Sequence, residues 1–375
     1  MFERTPSKDV RRLGGTKVTV NLSTSAPLKH SAIAAIALLA CTAVLVCPAV
    51  AQTHASDAGD WEAPRTVHGH PDLQGNWTNA TLTPLQRPEG WAPVLTWDKV
   101  SELETGQAEL VALTNAPSDP DRAPPPAGGT NPICIDSGTS CYNEVYRDPG
   151  DRVAIVSGEP RSSLVMNPSD GRVPQMTSEA RQRIADEKAL RSQFGPYDHP
   201  ELRPNAERCL VSFGSSAGPP MLPNYWYNNN YTIVQNADYV MIMAEMVHDV
   251  RIIRLGEADP LRADLRPWFG DSRGWYEGNT LVVETTNINS DQQFLGAGPS
   301  ADRKVTERFT RVDDETLLYE FTIDDPSTYE SAWGGQIPFK VLDGQIYEYA
   351  CHEGNYALAG VLSGARYQER TEGGR

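Results

Sequence analysis

The run YTIVQNADYVMIMAEMVHDVRIIRL, residues 231–255, decides the fold class of this chain. It reads as two strands, Tyr231–Val234 and Tyr239–Ile253, joined by a turn at Asn236-Ala237-Asp238. The second is rich in β-branched residues and Met, yet Glu245, His248, Asp249, Arg251 and Arg254 interrupt it or follow it. Ionisable groups are costly to bury unless they are paired or put to use. Such a strand either walls a polar-lined pocket or belongs to a buried salt-bridge network.

Beyond this run the strand pattern continues. Thr280–Asn287, Val305–Arg311, Leu317–Ile323, Gln336–Val341 and Gln345–Cys351 are short apolar-alternating segments, separated by turns such as Glu277-Gly278-Asn279, Asp313-Asp314-Glu315 and Asp343-Gly344. Seven strands in succession without helical patterns between them predict a mainly β domain over 206–375. It is expected to be an antiparallel meander closed as a lipocalin-like barrel or folded as a sandwich. Residues 52–205 read as a long irregular segment packing on or lidding the sheet, with two short helices. Thr96 caps one over Trp97–Leu113 and Thr177 caps the other over Ser178–Phe194.

Residues 1–51 have the layout of a secretory signal peptide: basic Arg11, Arg12, Lys17 and Lys29, an apolar Ala32–Val46, and a small-x-small Ala49-Val50-Ala51 before Gln52. The apolar run is shorter than the roughly 20 residues of a spanning helix, so cleavage after Ala51 is favoured over an anchor or over lipidation at Cys41. The whole chain has 33 Lys/Arg and 49 Asp/Glu; without residues 1–51 these become 27 and 47, a formal net charge of −20. That field disfavours nucleic acid and anionic lipid as partners, leaving a small molecule as the expected one. Export puts Cys134, Cys141, Cys209 and Cys351 in an oxidising compartment, where disulfides outweigh metal thiolates. Four cysteines allow three pairings. Pairing Cys134 with Cys141 across a local loop is simplest, and leaves Cys209 with Cys351.

Gly75-Asn76-Trp77 contains Gly-x-Trp, which resembles the first-strand signature of lipocalin-type barrels. There a Trp closes the barrel bottom against a basic residue of the last strand, a role for which Arg366 is the candidate here. A wider resemblance runs from Pro71 to Arg366. RSSLVMNPSDGRVP (161–174), ERCL (207–210), PPMLPNYWYNNNYTIVQ (219–235), EMVHDVRII (245–253), GDSRGWYEGNTLVVETTN (270–287), ERFTRVDDETLLYEFT (307–322) and YEYACHEGNY (347–356) are similar to a group of exported proteins from Proteobacteria and Acidobacteria. The resemblance implies Gram-negative export and a shared architecture, and carries over no activity. Relatives often have a His shortly before the Glu-Arg-Phe motif, where this chain has Lys304 and its neighbours.

Three clusters are candidates for chemistry. On a continuous strand Tyr239–Ile253, alternation puts His248 with Ile242, Ala244, Met246, Val250 and Ile252, and Glu245, Asp249 and Arg251 on the other face. If that second face lines a lumen, it makes an acid/base cluster with an electrostatic partner; if His248 does, an imidazole is the polar group of an apolar pocket. The bland alternative is a buried ion pair or a hydrogen-bonded core His. The second cluster, Tyr349–Tyr356, contains His352, Glu353 and Asn355, which a Cys209–Cys351 bridge would hold rigidly. The third, Gly270–Glu277, reads as a loop carrying Asp271 and Arg273, with mutual pairing of those two as its bland reading.

Tyr225, Trp226 and Asn228 could stack on and orient a flat or sugar-like ligand, or merely plug a barrel end. Nucleophile-elbow, dinucleotide and P-loop fingerprints are missing from the sequence. The expectation is therefore a secreted, cofactor-independent acid/base enzyme: a hydrolase, lyase, hydratase or isomerase acting on a small apolar or glycosidic compound. His248, Asp249, His352, Glu353 and Tyr231 would be its catalytic residues. Arg251, Arg273, Asp271, Glu245, Tyr225, Trp226, Asn228 and Asn355 would be its substrate contacts, with no metal. The alternative is a non-catalytic periplasmic binder of a small hydrophobic ligand.

Overall fold

The computed structural model describes residues 61–114, 148–211, 218–223, 229–257, 259–292, 294–297 and 300–372. The expectations for residues 1–51, Cys134, Cys141, Tyr225, Trp226 and Asn228 lie outside these. In chain order the elements are β1 (Gly75–Thr78), α1 (Trp97–Thr114), β2 (Ile155–Val156), β3 (Glu159–Pro160), β4 (Val165–Asn167), α2 (Ser178–Arg191), β5 (Asn230–Gln235), β6 (Tyr239–Ala244), β7 (Val250–Leu255), β8 (Asp271–Glu277), β9 (Thr280–Thr286), β10 (Lys304–Arg311), β11 (Thr316–Asp324), β12 (Trp333–Val341) and α3 (Tyr356–Glu372). Strand β1 and strands β5 to β12 pair in sequence order, and β12 pairs back onto β1 through Trp77↔Val341 and Thr78↔Lys340. The protein is a closed, mainly β barrel of nine strands, with β4 added outside β12.

The alternation that predicts the strands also fills the barrel. In β10 Val305, Glu307 and Phe309 face inward, and in β11 Leu317, Tyr319, Phe321 and Ile323 do. Tyr319 packs on Phe309 and on Phe339 with ring centroids 5.1 Å apart in each case, and Tyr231 stacks on Phe339 at 5.6 Å. Leu73, Trp77, Ala154, Leu164 and Val165, all before residue 206, share this core. At Gly335 a Cβ would stand 2.2 Å from the Leu164 carbonyl oxygen, so only glycine lets the chain entering β4 lie against β12.

Trp77 is buried in β1, and the cation beside it is not the expected one. The Arg311 guanidinium, at the end of β10, lies 5.6 Å from the indole. Arg366 sits on α3 and pairs with Glu369 and Asp198 instead. The helices start and end close to expectation, and Thr177 Oγ1 caps α2 by accepting from the Ala180 N–H at 3.1 Å.

Four expectations are corrected. Tyr239–Ile253 is two strands, broken by a 3-10 turn at Met246–His248. The turn changes the parity: Val240, Ile242 and Ala244 are buried before it, and Arg251 and Ile253 after it. Second, β7 and β8 pair in parallel, Ile253 opposite Ser272 and Leu255 opposite Gly274, where a meander would make them antiparallel. Third, Gly270–Glu277 is mostly strand β8, not a loop; Gly274 faces inward there, and a Cβ would stand 2.8 Å from Ile253 Cγ2. Fourth, Gln345–Cys351 forms no strand, and the chain ends in α3.

Candidate functional site

Three of the candidate residues, Glu245, His248 and Asp249, lie at the barrel end where β6 gives way to β7. The turn is closed by the Ala244 N–H donating to the Asp249 carbonyl at 2.8 Å and the His248 N–H donating to the Glu245 carbonyl at 3.2 Å. Inside it, Val247 and His248 hold φ of 63° and 47°, a left-handed pair without a glycine. A β-branched residue there is an outlier, and each such residue costs about 1–3 kcal/mol. What holds it is burial: Met246 and Val247 are 0% and 6% exposed, so the tight turn tucks two apolar side chains inward and turns His248 outward.

Glu245 is buried and fastens the turn at two points. Its carboxylate accepts from Asn230 Nδ2 at 2.7 Å and from the Tyr347 backbone N–H at 2.8 Å. His248 Nδ1 lies 2.9 Å from the Tyr349 carbonyl oxygen. A carbonyl only accepts, so Nδ1 carries the proton and Nε2 of the neutral ring keeps its lone pair. Asp249, half-buried beside it, has its carboxyl pushed up to about 7 by desolvation, with the neighbouring His248 pulling it partly back. Asp148 is raised as well, chiefly by burial, against backbone N–H bonds from Asn229 and Gly150; Asp151 and Glu245 push it further.

The segment that supplies Tyr347 and Tyr349 is anchored by the disulfide Cys209–Cys351, which spans a sequence separation of 142. Asn355 Nδ2 donates to the Glu207 carbonyl at 3.0 Å and lies 3.3 Å from Cys209 Sγ. His352 and Glu353 are exposed here, and Glu353 and Asn355 line an open groove of about 440 Å³ shared with Glu207, Glu348, Tyr349 and Cys351. Tyr349 thus joins the two clusters: its carbonyl receives His248, and the residue lines the groove of Glu353.

The remaining candidates lie elsewhere. Tyr231 is fully buried, accepts from Asn79 Nδ2 at 3.3 Å, and its hydroxyl is raised by burial. Arg251 is also inside the barrel, bound to Glu307. Asp271 and Arg273 do not pair with each other: Asp271 takes Arg254 at 2.5 Å and the Leu261 N–H at 2.7 Å, while Arg273 meets Glu284 at 3.2 Å on the outer face. A second groove, of about 420 Å³, runs over the outside of β10–β12 beside Arg161 and Asn167, where Arg308 is already paired with Glu277.

Sequence reading missed Glu307, Tyr319 and Asp148. The first two were legible: period-2 alternation puts Glu307 on the face of Val305 and Phe309, and Tyr319 on that of Leu317 and Phe321. Asp148 reads only as the start of an Asp-Pro-Gly turn, and nothing local marks its burial. Among the described residues no group of three or more His, Cys, Asp or Glu side chains could hold a metal ion, and no helix is long and apolar enough to cross a membrane. Compared with protein-family models, curated proteins and solved structures, the chain matches none.

Proposed function

We propose that the protein is an exported acid/base enzyme, a hydrolase, lyase, hydratase or isomerase of a small apolar or glycosidic compound, working without a cofactor at the β6–β7 turn. The observation that carries this reading is the adjacent pair His248 and Asp249. One side chain has a ring nitrogen oriented by the Tyr349 carbonyl, and the other a carboxyl pushed up to about 7. In this reading His248 Nε2 is the general base and protonated Asp249 the general acid. Glu245 and the Cys209–Cys351 strap are positioning groups, and the strained turn is where such strain is commonly stored. The disulfide supports export, together with the cleavage motif ending at Ala51.

The alternative of a barrel-lumen binder has less support. The axis is occupied by the rings of Tyr231, Phe309, Tyr319 and Phe339, each at 0% exposure.

The test is a screen of the secreted protein against chromogenic esters and glycosides and small hydratable alkenes, repeated with His248→Gln and Asp249→Asn. Loss of one positioned proton-transfer group costs about 10²–10⁴ in rate. A turnover that persists undiminished in both folded variants would overturn the assignment.

A further inference from the structure

The same end of the barrel carries a second polar cluster, on the strands β10 to β12. Arg303 precedes β10, Trp333 opens β12 and Tyr329 lies in the connection between β11 and β12; they are 5%, 0% and 3% exposed. Phe294 knits them together. The Arg303 guanidinium lies 5.3 Å from its ring, Trp333 stacks on it at 6.2 Å, and Tyr329 meets Trp333 edge-on at 5.7 Å.

The polar groups around this cluster are well satisfied. Asp325 Oδ1 accepts the Ser300 and Ser327 hydroxyls at 2.9 Å each, and Arg303 Nη2 donates to Gln292 Oε1 at 2.9 Å. Three atoms within it find no partner among the described residues: Arg303 Nε, Tyr329 Oη and Trp333 Nε1. Buried polar atoms are nearly always bonded, and each one left unmade carries its full desolvation penalty. Three donors in one contact group call for an acceptor that the described residues do not supply.

Their chemistry specifies what that is. Indole N–H and guanidinium N–H only donate. Burial, reinforced by Asp325, pushes the Tyr329 hydroxyl up to about 12, so at neutral pH it too has a proton to give. Water or a ketone oxygen offers two lone pairs. A carboxylate offers four acceptor sites on two oxygens and a charge for Arg303. Barrel mouths are also a common place for small ligands. We propose that this end of the barrel holds a second ligand site, separate from the β6–β7 turn, for a small carboxylate. Its oxygens take the Tyr329 O–H, the Trp333 indole N–H and the Arg303 Nε–H.

The protein, as exported, is titrated with sodium acetate at constant ionic strength, against sodium chloride and neutral acetamide. The thermal midpoint is followed together with the Trp333 indole N–H resonance, identified through Trp333→Phe. A saturable rise of the midpoint with acetate alone is expected, with displacement of that resonance. Tyr329→Phe removes only the hydroxyl, and should weaken acetate about tenfold or more through loss of a hydrogen bond to a charged group. If acetate moves neither readout, or Tyr329→Phe responds as the wild type does, the site is overturned. A lone buried water with no acetate response overturns it equally. Should Tyr329→Phe fail to fold, the wild-type titration decides alone.

Discussion

Arg251 and Glu307 face each other inside the barrel as a two-pronged ion pair, with side chains 1% and 0% exposed. Arg251 Nη1 donates to Glu307 Oε1 at 3.0 Å, and Nη2 reaches Oε2. Tyr319 adds its hydroxyl to Oε1 at 2.8 Å, and itself accepts the Met221 N–H at 2.9 Å. Glycine at 218 is part of the fit, since a Cβ there would stand 2.8 Å from Arg251 Nη1. Of the two readings open to charges in this strand, Arg251 therefore realises the buried network, while Asp249 and His248 stand at the rim.

Glu307→Leu is expected to lower stability by about 3–5 kcal/mol, because it leaves the Arg251 charge buried without its carboxylate. Replacing both partners, as Arg251→Met with Glu307→Leu, should recover most of that loss. Urea unfolding of the two variants checks it; equal losses in single and double variants would mean that the pair is not energetically coupled.

The disulfide closes a long loop and holds the strap that carries Tyr347 and Tyr349. Cys209→Ser combined with Cys351→Ser should cost about 2–5 kcal/mol, the usual loss for a native bridge. A reductant should then lower the wild-type midpoint and leave that of the double variant in place, unless a further bridge also responds.

Much of the barrel was legible because strand alternation is a strong local signal. It failed where tertiary packing overrode it: Val247 and His248 adopt left-handed backbone without a glycine to announce it, and the turn puts Arg251 on the buried face of Ile242 and Ala244 instead of opposite it. Partners distant in sequence were harder still. Arg254 finds Asp271 through the parallel β7–β8 pairing, which no local pattern encodes. His248 and Asp249 were readable as site candidates from their place in an apolar run, whereas the Tyr349 carbonyl that orients the ring comes from 101 residues away.

Arg311, and not the expected Arg366, lies against Trp77, and variants of the two should separate cleanly. Arg311 lies over the indole and also donates to the Asp72 and Asp314 carbonyls at 3.1 and 3.0 Å. Arg311→Met should cost about 1–2 kcal/mol through the lost cation–π contact and carbonyl bonds. Arg366→Met, on an exposed helix, should stay within about 0.5 kcal/mol of wild type. Equal thermal midpoints for the two variants would contradict the assignment of Arg311 to the barrel end.

Asp249 gives a pH signature that does not depend on knowing the substrate. Its ordinary value is 3.8 and burial lifts it to about 7 in the folded protein. Between those values the folded state holds a proton that the unfolded state has released, so stability falls as pH rises from about 4 to about 7 and levels off above that. Asp249→Asn cannot titrate and should lack this component of the slope. Relative to wild type it should therefore gain stability with rising pH, reaching about 1–2 kcal/mol at pH 8 after allowance for screening of a half-buried group. Urea midpoints of both proteins between pH 5 and pH 8 measure the difference directly. Parallel curves across that range would place the Asp249 carboxyl in its ordinary range, and would remove the general acid from the proposed reaction.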